Sequence, residues 1–303
     1  MNPSDFYQWI RDGVEIWATQ SNATLAFQYD FVINALMGAI FIGPLLGALG
    51  SMVVVKRMAF FSQAVGNAAL TGVAIGVLLG ESNTSPYVSM FGFCLIFGIV
   101  LKYTQHRSSL SNDTLIGVFL SISLALGASL LLFVSAKINT HIMEAVLFGS
   151  VLTVDDTDIN ILILTTIACA AIGGPLYNKT MLAALNGSLA AARGIKVKTL
   201  DYIFVIMITV VTVACVKIVG AVLVEALLLI PAAAARNVSR SLKGFVIGSM
   251  VISTISCLAG IIIPMQYDLP LPSGGAIILC SAICFLGTLI ARACLPQFRT
   301  ARF

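Results

Sequence analysis

The sequence predicts an all-α, polytopic helical membrane protein with eight or nine transmembrane helices. Its 303 residues are 59% hydrophobic and only 10% charged, and the mean hydropathy is +1.01. Soluble domains carry about 25% charged residues, and no soluble core could bury this much apolar surface. The length alone would suggest two soluble domains. The composition favours one transmembrane domain over residues 27–303 instead.

Nine segments are apolar enough to be considered spanning helices, which need about 20 mostly apolar residues. Several of them follow one another with little sequence between them. An eight-span core with one peripheral helix is therefore the main alternative to nine spans. The nine segments are Phe31–Val55, Ala59–Gly80, Tyr87–Leu101, Thr114–Val134, Ile159–Leu176, Leu200–Val216, Ile218–Ala235, Phe245–Pro264 and Gly274–Cys294.

The distribution of Lys and Arg predicts the orientation of these spans. If there are nine spans and the N-terminus is outside, 14 of the 17 Lys and Arg residues fall on the inner side and most acidic residues fall outside. This is the asymmetry of the positive-inside rule, so we predict a cytoplasmic C-terminus. The inner residues are Lys56, Arg57, Lys102, Arg107, Lys179, Arg193, Lys196, Lys198, Arg236, Arg240, Lys243, Arg292, Arg299 and Arg302.

The first 26 residues differ in character from the spans. They combine acidic residues with Tyr7, Trp9 and Trp17, and they lack the cationic start and long apolar run of a signal peptide. Residues 1–26 are therefore predicted to form an amphipathic segment on the membrane surface.

A few polar residues interrupt the apolar spans. Gln63 and Asn67 lie four residues apart and share one face of a helix. Glu225 falls within a span, where a carboxylate costs several kcal/mol unless it faces a cavity or a partner. Pro231 removes a backbone hydrogen bond and predicts that the helix kinks or breaks there. Structural alternatives remain open: the amides would bond between helices, and Glu225 would reach water near the outer surface.

The segment Tyr177–Lys198 on the inner side is too polar to span. It is rich in alanine, is predicted to be helical, and stops at Gly194. A short inner helix with an apolar face would suit docking onto a cytosolic partner. The apolar residues at helical spacing are Met181, Leu182, Leu185 and Leu189.

Six stretches carry a resemblance to a known family, and together they cover most of Val53–Ile290. They are Lys56–Gly80, Asn112–Gly127, Val146–Ile159, Leu185–Val197, Val219–Leu242 and Asp268–Leu286. In this order and spacing they resemble the permease subunit of the metal-type ABC transporters, which take up zinc, manganese or iron in bacteria.

The resemblance implies the permease subunit of an ATP-driven importer for a transition-metal ion, set among the lipids of the bacterial plasma (inner) membrane. It implies a second permease copy or sister subunit, a cytosolic ATP-binding-cassette ATPase dimer and an outer-face substrate-binding protein. The stretch that resembles the coupling segment to the ATPase contains Leu185, Asn186, Gly187, Ala191 and Gly194. We expect no enzyme activity in this chain, because it lacks a GxxxxGK[ST] phosphate loop, and no cofactor or nucleic-acid partner.

The chain departs from the family where the cargo would pass. The family usually has Asp at the position of Gln63, His at that of Asn67, and often another His near Ser121. Amides bind transition metals more weakly than carboxylate and imidazole do. Glu225, where the family usually has a small or hydroxyl residue, would restore one charged metal ligand or would meet a cationic part of a different substrate. The predicted substrate pathway is therefore Gln63, Asn67, Ser121 and Glu225.

Two alternative functions follow from the same residues. The same importer would carry a metal chelate or another polar small molecule, because amides are good donors and acceptors for such a ligand. A proton- or sodium-coupled secondary transporter would also suit an intramembrane acid and a broken helix. Uptake that needs a chelator would favour the first alternative, and uptake without an ATPase would favour the second.

Overall fold

The computed structural model describes residues 30–81, 87–135, 156–267 and 273–294. The regular secondary structure in these ranges is entirely helical. The predicted surface segment, residues 1–26, lies outside the described residues. The helices are α1 (Asp30–Lys56), α2 (Phe61–Leu78), α3 (Tyr87–Arg107), α4 (Asn112–Ser135), α5 (Asp156–Leu185), α6 (Gly187–Ala192), α7 (Val197–Val219), α8 (Ala221–Val238), α9 (Leu242–Gln266) and α10 (Ser273–Cys294).

Nine of these described helices are long and apolar enough to cross a membrane, and α6, with six residues, is not. Each of the nine corresponds to one predicted segment, which confirms the all-α membrane fold. The largest differences are at two ends, because α3 continues to Arg107 and α5 to Leu185. Hydropathy predicts only the part of a helix that suits lipid, whereas the helix itself continues as long as its backbone hydrogen bonds do.

The chain forms two compact units, and three of the four boundaries between them fall within α1, α5 and α8. All of the predicted site residues except Pro231 belong to the second unit. The single transmembrane domain over residues 27–303 stays a prediction. The first unit contains Met1–Ala48, Ser150–Leu164 and Ile230–Phe303, and the second contains Leu49–Gly149 and Thr165–Leu229.

In the first unit, glycines let the backbones of α1 and α9 approach closely. A Cβ atom on Gly43 would lie 2.6 Å from Thr254 Cα, and one on Gly47 would lie 2.7 Å from Met250 Cα. The Ser249 hydroxyl donates a hydrogen bond of 2.7 Å to the Gly47 carbonyl. Small residues serve this purpose in membrane helices, where packing and interhelical hydrogen bonds drive association.

In the second unit, α2 packs against α3, α4 and α7. The Ser123 hydroxyl of α4 donates to the Ala64 carbonyl over 3.3 Å, and the Thr71 hydroxyl donates to the Ser123 carbonyl over 3.3 Å. A Cβ atom on Gly72 would lie 2.8 Å from Met90 Cα of α3. These contacts hold α2 in place and bury most of its surface.

The predicted helix break at Pro231 is absent, because α8 is continuous from Ala221 to Val238. An interior proline removes one backbone hydrogen bond, and membrane helices tolerate that loss when neighbouring groups compensate. The interruption lies instead at Gly220, between α7 and α8. Its φ of 90° is strained for residues with a side chain, so glycine suits this position.

Candidate substrate pathway and coupling helix

A tight turn between α1 and α2 fixes where the polar face of α2 begins. Arg57 has a φ of 55°, the left-handed conformation that commonly ends a helix. Its N–H donates to the Val54 carbonyl over 3.3 Å, and the Met58 N–H donates to the Val53 carbonyl over 3.1 Å. These two bonds form a Schellman motif, which satisfies the last carbonyls of α1. Residues 57–60 therefore join the two helices with little freedom.

Gln63 and Asn67 are half-buried polar residues on a helix that is otherwise mostly buried. Thirteen of the 18 residues of α2 are buried, and apart from these two amides the half-buried or exposed ones are apolar residues near its end. Neither amide side chain hydrogen-bonds to any residue that the structure describes. The alternative that the amides bond between helices is therefore not found in this part of the chain.

The start of α8 packs against α2 next to Asn67. A Cβ atom on Gly66 would lie 3.0 Å from the Cβ atom of Ala221. Ala221 and Glu225 are four residues apart and so share a face of α8. The Glu225 side chain is half-buried, and no described cation neutralises its carboxylate. The structure thus brings Glu225 within one helical turn of the contact with α2.

The structure does not bring Ser121, the fourth predicted pathway residue, against α2. Ser121 is exposed on α4, and its hydroxyl donates to the Gly117 carbonyl of the same helix over 3.1 Å. The residues of α4 that meet α2 are Ser123 and Gly127. Ser121 and Ser123 point roughly 200° apart on a helix, and the sequence does not say which face meets α2.

The inner helix α6 begins with a side-chain cap. The predicted segment Tyr177–Lys198 is not one helix: it contains the end of α5, all of α6 and the start of α7. The Asn186 side-chain oxygen accepts a hydrogen bond of 3.1 Å from the Leu189 N–H and one of 2.8 Å from the Ser188 hydroxyl. This N-cap separates α6 from α5.

The same helix ends in a second Schellman motif. Gly194 has a φ of 73°, and its N–H donates to the Ala191 carbonyl over 2.9 Å. The Ile195 N–H donates to the Ala190 carbonyl over 3.1 Å. The predicted stop at Gly194 is confirmed, and its cause is the left-handed conformation that glycine adopts without strain.

The predicted apolar face of this segment is smaller than the sequence indicates. Leu185 and Leu189 are exposed, with 49% and 44% of their surface accessible, and Gly187 and Ala191 are also exposed. Met181 is buried instead. Leu182 packs against a core that joins α5, α6 and α7 and contains Ala183, Ala190 and Leu200. The pattern of hydrophobic residues could not distinguish those that pack α6 against α5 and α7 from those that are exposed on its surface.

A buried ionic group that the sequence did not indicate lies in the second unit. Asp201 in α7 is paired with both Lys56 at the end of α1 and Lys102 in α3; we name these three residues the inner ion cluster. The Lys102 Nζ is 3.2 Å from Asp201 Oδ2, and the two lysine side chains are only 8% exposed. Lys56 and Asp201 are 145 residues apart, so no local pattern could have paired them.

The described residues contain no group of three or more His, Cys, Asp or Glu side chains that could hold a metal ion. The predicted pathway residues offer a different set of donors, namely the carboxylate of Glu225 and the amide oxygens of Gln63 and Asn67. Oxygen ligands of this kind hold a transition metal more weakly than imidazole and thiolate do. They suit transient contact with a passing ion rather than a permanent site.

The part of the chain that the structure describes has the features of a membrane permease. It contains nine apolar helices, a capped and exposed inner helix and, on a buried helix, two amides to which no described residue bonds. The family model of the ABC 3 transport family matches residues 28–292, so the chain belongs to this family. This membership confirms the resemblance predicted from the sequence.

Known relatives agree with this assignment. The chain is 32% identical over 258 residues to the manganese import system permease protein ScaB of Streptococcus gordonii, covering 85% of this chain and 90% of ScaB. It is 27% identical over 264 residues to the high-affinity zinc uptake system membrane protein ZnuB of Haemophilus influenzae, covering 87% and 98%. The solved structure of PsaBC from Streptococcus pneumoniae in complex with Fab matches with a TM-score of 0.76 and 28% identity, covering 90% and 94%.

Proposed function

We propose that this chain is the transmembrane permease subunit of a bacterial ATP-driven importer whose cargo is a divalent transition-metal ion, manganese or zinc. The observation that carries the proposal is the similarity to ScaB, a manganese import permease, along 85% of the chain. The similarity to ZnuB supports zinc as the second candidate ion. The expectation of iron rests on the sequence resemblance alone.

The cargo would pass the contact between α2 and α8, where Gln63, Asn67 and Glu225 are free to meet it. A half-buried carboxylate without a cation is costly in a membrane, and a passing metal ion would supply the missing charge. The amide oxygens would replace part of the ion's water. Such weak ligands favour transport, because an ion must bind well enough to enter and loosely enough to leave. Ser121 is exposed on another face and is left out of this pathway.

The partners would meet the chain at its two ends. A cytosolic ATP-binding-cassette ATPase dimer would hydrolyse ATP and dock at α6, where Leu185 and Leu189 are exposed. An outer-face substrate-binding protein would deliver the ion, and a second permease copy or a sister subunit would complete the pathway. The chain would lie in the inner membrane, and the distribution of Lys and Arg supports an N-terminus outside and a C-terminus in the cytoplasm.

Metal uptake by cells that lack other uptake systems tests the proposal. The chain is expressed with its ATPase and binding protein, free manganese or zinc is offered, and the cell content is measured by elemental analysis. We expect accumulation of one free ion, and a loss of roughly tenfold or more in Glu225→Gln at limiting metal, because one charged ligand is removed. Co-purification with the ATPase should be unchanged.

Glu81→Gln is the matched control, because it removes a carboxylate at the end of α2 that accepts only a 3.4 Å bond from the Ser89 N–H among the bonds described. Its uptake should equal that of the wild type. Normal uptake by Glu225→Gln would remove Glu225 from the pathway. No uptake of either ion in any form by the wild type would overturn the proposed cargo.

A metal chelate is the second candidate cargo, and the free amides favour it. Gln63 and Asn67 each offer donors and an acceptor that no described residue uses, and such groups recognise a polar ligand better than a bare ion. Uptake only when the chelator is supplied would support this candidate. Membership of an ABC transport family decides against the secondary transporter.

A further inference from the structure

The inner ion cluster holds both of its lysines in defined positions. Lys56 donates to one oxygen of Asp201 and lies 5.1 Å from the centre of the Phe204 ring. Lys102 contacts the other oxygen and also donates to Gln105 Oε1 over 3.3 Å. Each ammonium group therefore has two partners, and the Asp201 side chain is only 17% exposed.

A buried ion cluster of this kind often adds little to the net free energy of unfolding. Removing charges from water offsets most of their attraction, and apolar side chains of similar size often stabilise a fold equally well. What the charges supply is a defined position, since removing one partner leaves the others buried and unpaired. The three side chains are thus better explained by the helices that they hold together.

Those helices connect α6 to the pathway. Asp201 lies in the second turn of α7, nine residues after the end of α6, and α6 is fastened to the start of α7 by Ala190 and Leu200. Lys56 is the last residue of α1, and the tight turn 57–60 joins it to α2. Lys102 belongs to α3, which packs against both α2 and α7. One carboxylate therefore joins the base of α7 to the end of α1, next to the turn into α2, and to α3.

We infer that Asp201 is a positioning residue that transmits movement of α6 to α2 through Lys56 and Lys102. A force on α6 reaches α7 through their shared apolar core. Asp201 then carries the end of α1 with it, and the rigid turn shifts the helix that bears Gln63 and Asn67. The inference rests on the proposed function, because only an ATP-driven importer exerts such a force.

The test measures coupling in the complete complex of permease, ATPase and binding protein, reconstituted in lipid vesicles. Manganese or zinc uptake and ATP hydrolysis are recorded together, and their ratio is the readout. We expect Asp201→Asn to assemble and to hydrolyse ATP, while metal uptake per ATP falls roughly tenfold, within the usual range of coupling between sites. Asp201→Glu, which keeps the charge, should recover most of the ratio.

Asp113→Asn is the matched control. Asp113 lies in the first turn of α4, is predicted on the same inner side, and is exposed. Its loss should leave both uptake and the ratio unchanged. A merely structural role for Asp201 would lower the amount of complex without changing the ratio of the molecules that remain.

A second variant tests the inference if the Asp201→Asn protein is not obtained in folded form. The triple variant Lys56→Met, Lys102→Met and Asp201→Leu leaves no unpaired charge and should fold. A reduced ratio in this variant would support the inference, and a wild-type ratio in either variant would overturn it. If the wild-type complex carries neither ion, the proposed function fails instead, so the two failures are distinguishable.

Discussion

Two polar groups in the second unit, on either side of one tight turn, have opposite character. The inner ion cluster is buried, and each of its charges has a partner. The pathway group, Gln63, Asn67 and Glu225, is half-buried, and no described residue bonds to these side chains. The first arrangement holds helices in position, whereas the second leaves its donors and acceptors free for a ligand. We propose that the presence or absence of bonding partners, rather than polarity itself, separates a positioning role from a cargo role in these apolar helices.

The comparison depends on the position of α8 close to α1 and α2. A substitution that separates α8 from α1 should have the largest effect on stability. A Cβ atom on Gly50 would lie 2.1 Å from the Leu228 carbonyl oxygen. We expect Gly50→Ala to destabilise the protein by about 3 kcal/mol and to lower its amount in the membrane, because the backbones must separate. Thermal unfolding of the purified protein in detergent measures the change.

Gly38→Ala is the control within the same helix, since a Cβ atom there would have nothing within 4 Å. It should leave stability unchanged or slightly raised, as alanine favours helix. Equal behaviour of the two variants would contradict the close approach of α1 and α8.

The pathway group should respond to stronger ligands, which the inner ion cluster would not. In the double variant Gln63→Asp with Asn67→His, a carboxylate and an imidazole lie one turn apart on α2, which packs against the start of α8. We expect zinc affinity to rise by roughly tenfold or more, because these groups bind transition metals better than amides do. Equilibrium binding of zinc to the purified protein measures the gain.

Ser121→His serves as the control for this variant, because it adds an imidazole on the exposed face of α4. Zinc affinity should stay at the wild-type value. If the double variant gains no more than Ser121→His, the two α2 positions do not face the cargo.

The smallest expected effect concerns the turn that separates the two groups. Arg57 holds a φ of 55° at a position where glycine is free of strain. Arg57→Gly should raise the melting temperature by about 2 °C, whereas Arg57→Ala removes the same charge and keeps the strain. Equal melting temperatures for the two variants would show that the backbone conformation is not the cause.

The spans could be predicted from the sequence because hydropathy is averaged over a whole helix, so single residues matter little. The end of α6 was also predicted, since Gly194 is a local signal for a helix stop. Its start was not, although Asn186 is a residue type that caps helices. The face of α4 that meets α2 could not be predicted, because Ser121 and Ser123 are equally small and polar. The inner ion cluster was hidden for another reason: its members come from three helices far apart in the chain.

The most direct test compares Glu225→Gln with Asp201→Asn in the same reconstituted complex, recording metal uptake over a range of metal concentrations together with ATP hydrolysis. The account predicts different defects. Glu225→Gln should need roughly tenfold more metal for half-maximal uptake, because a ligand is lost. Asp201→Asn should keep the same concentration dependence but carry less metal per ATP. The same defect in both variants would contradict the separation between a cargo group and a positioning group.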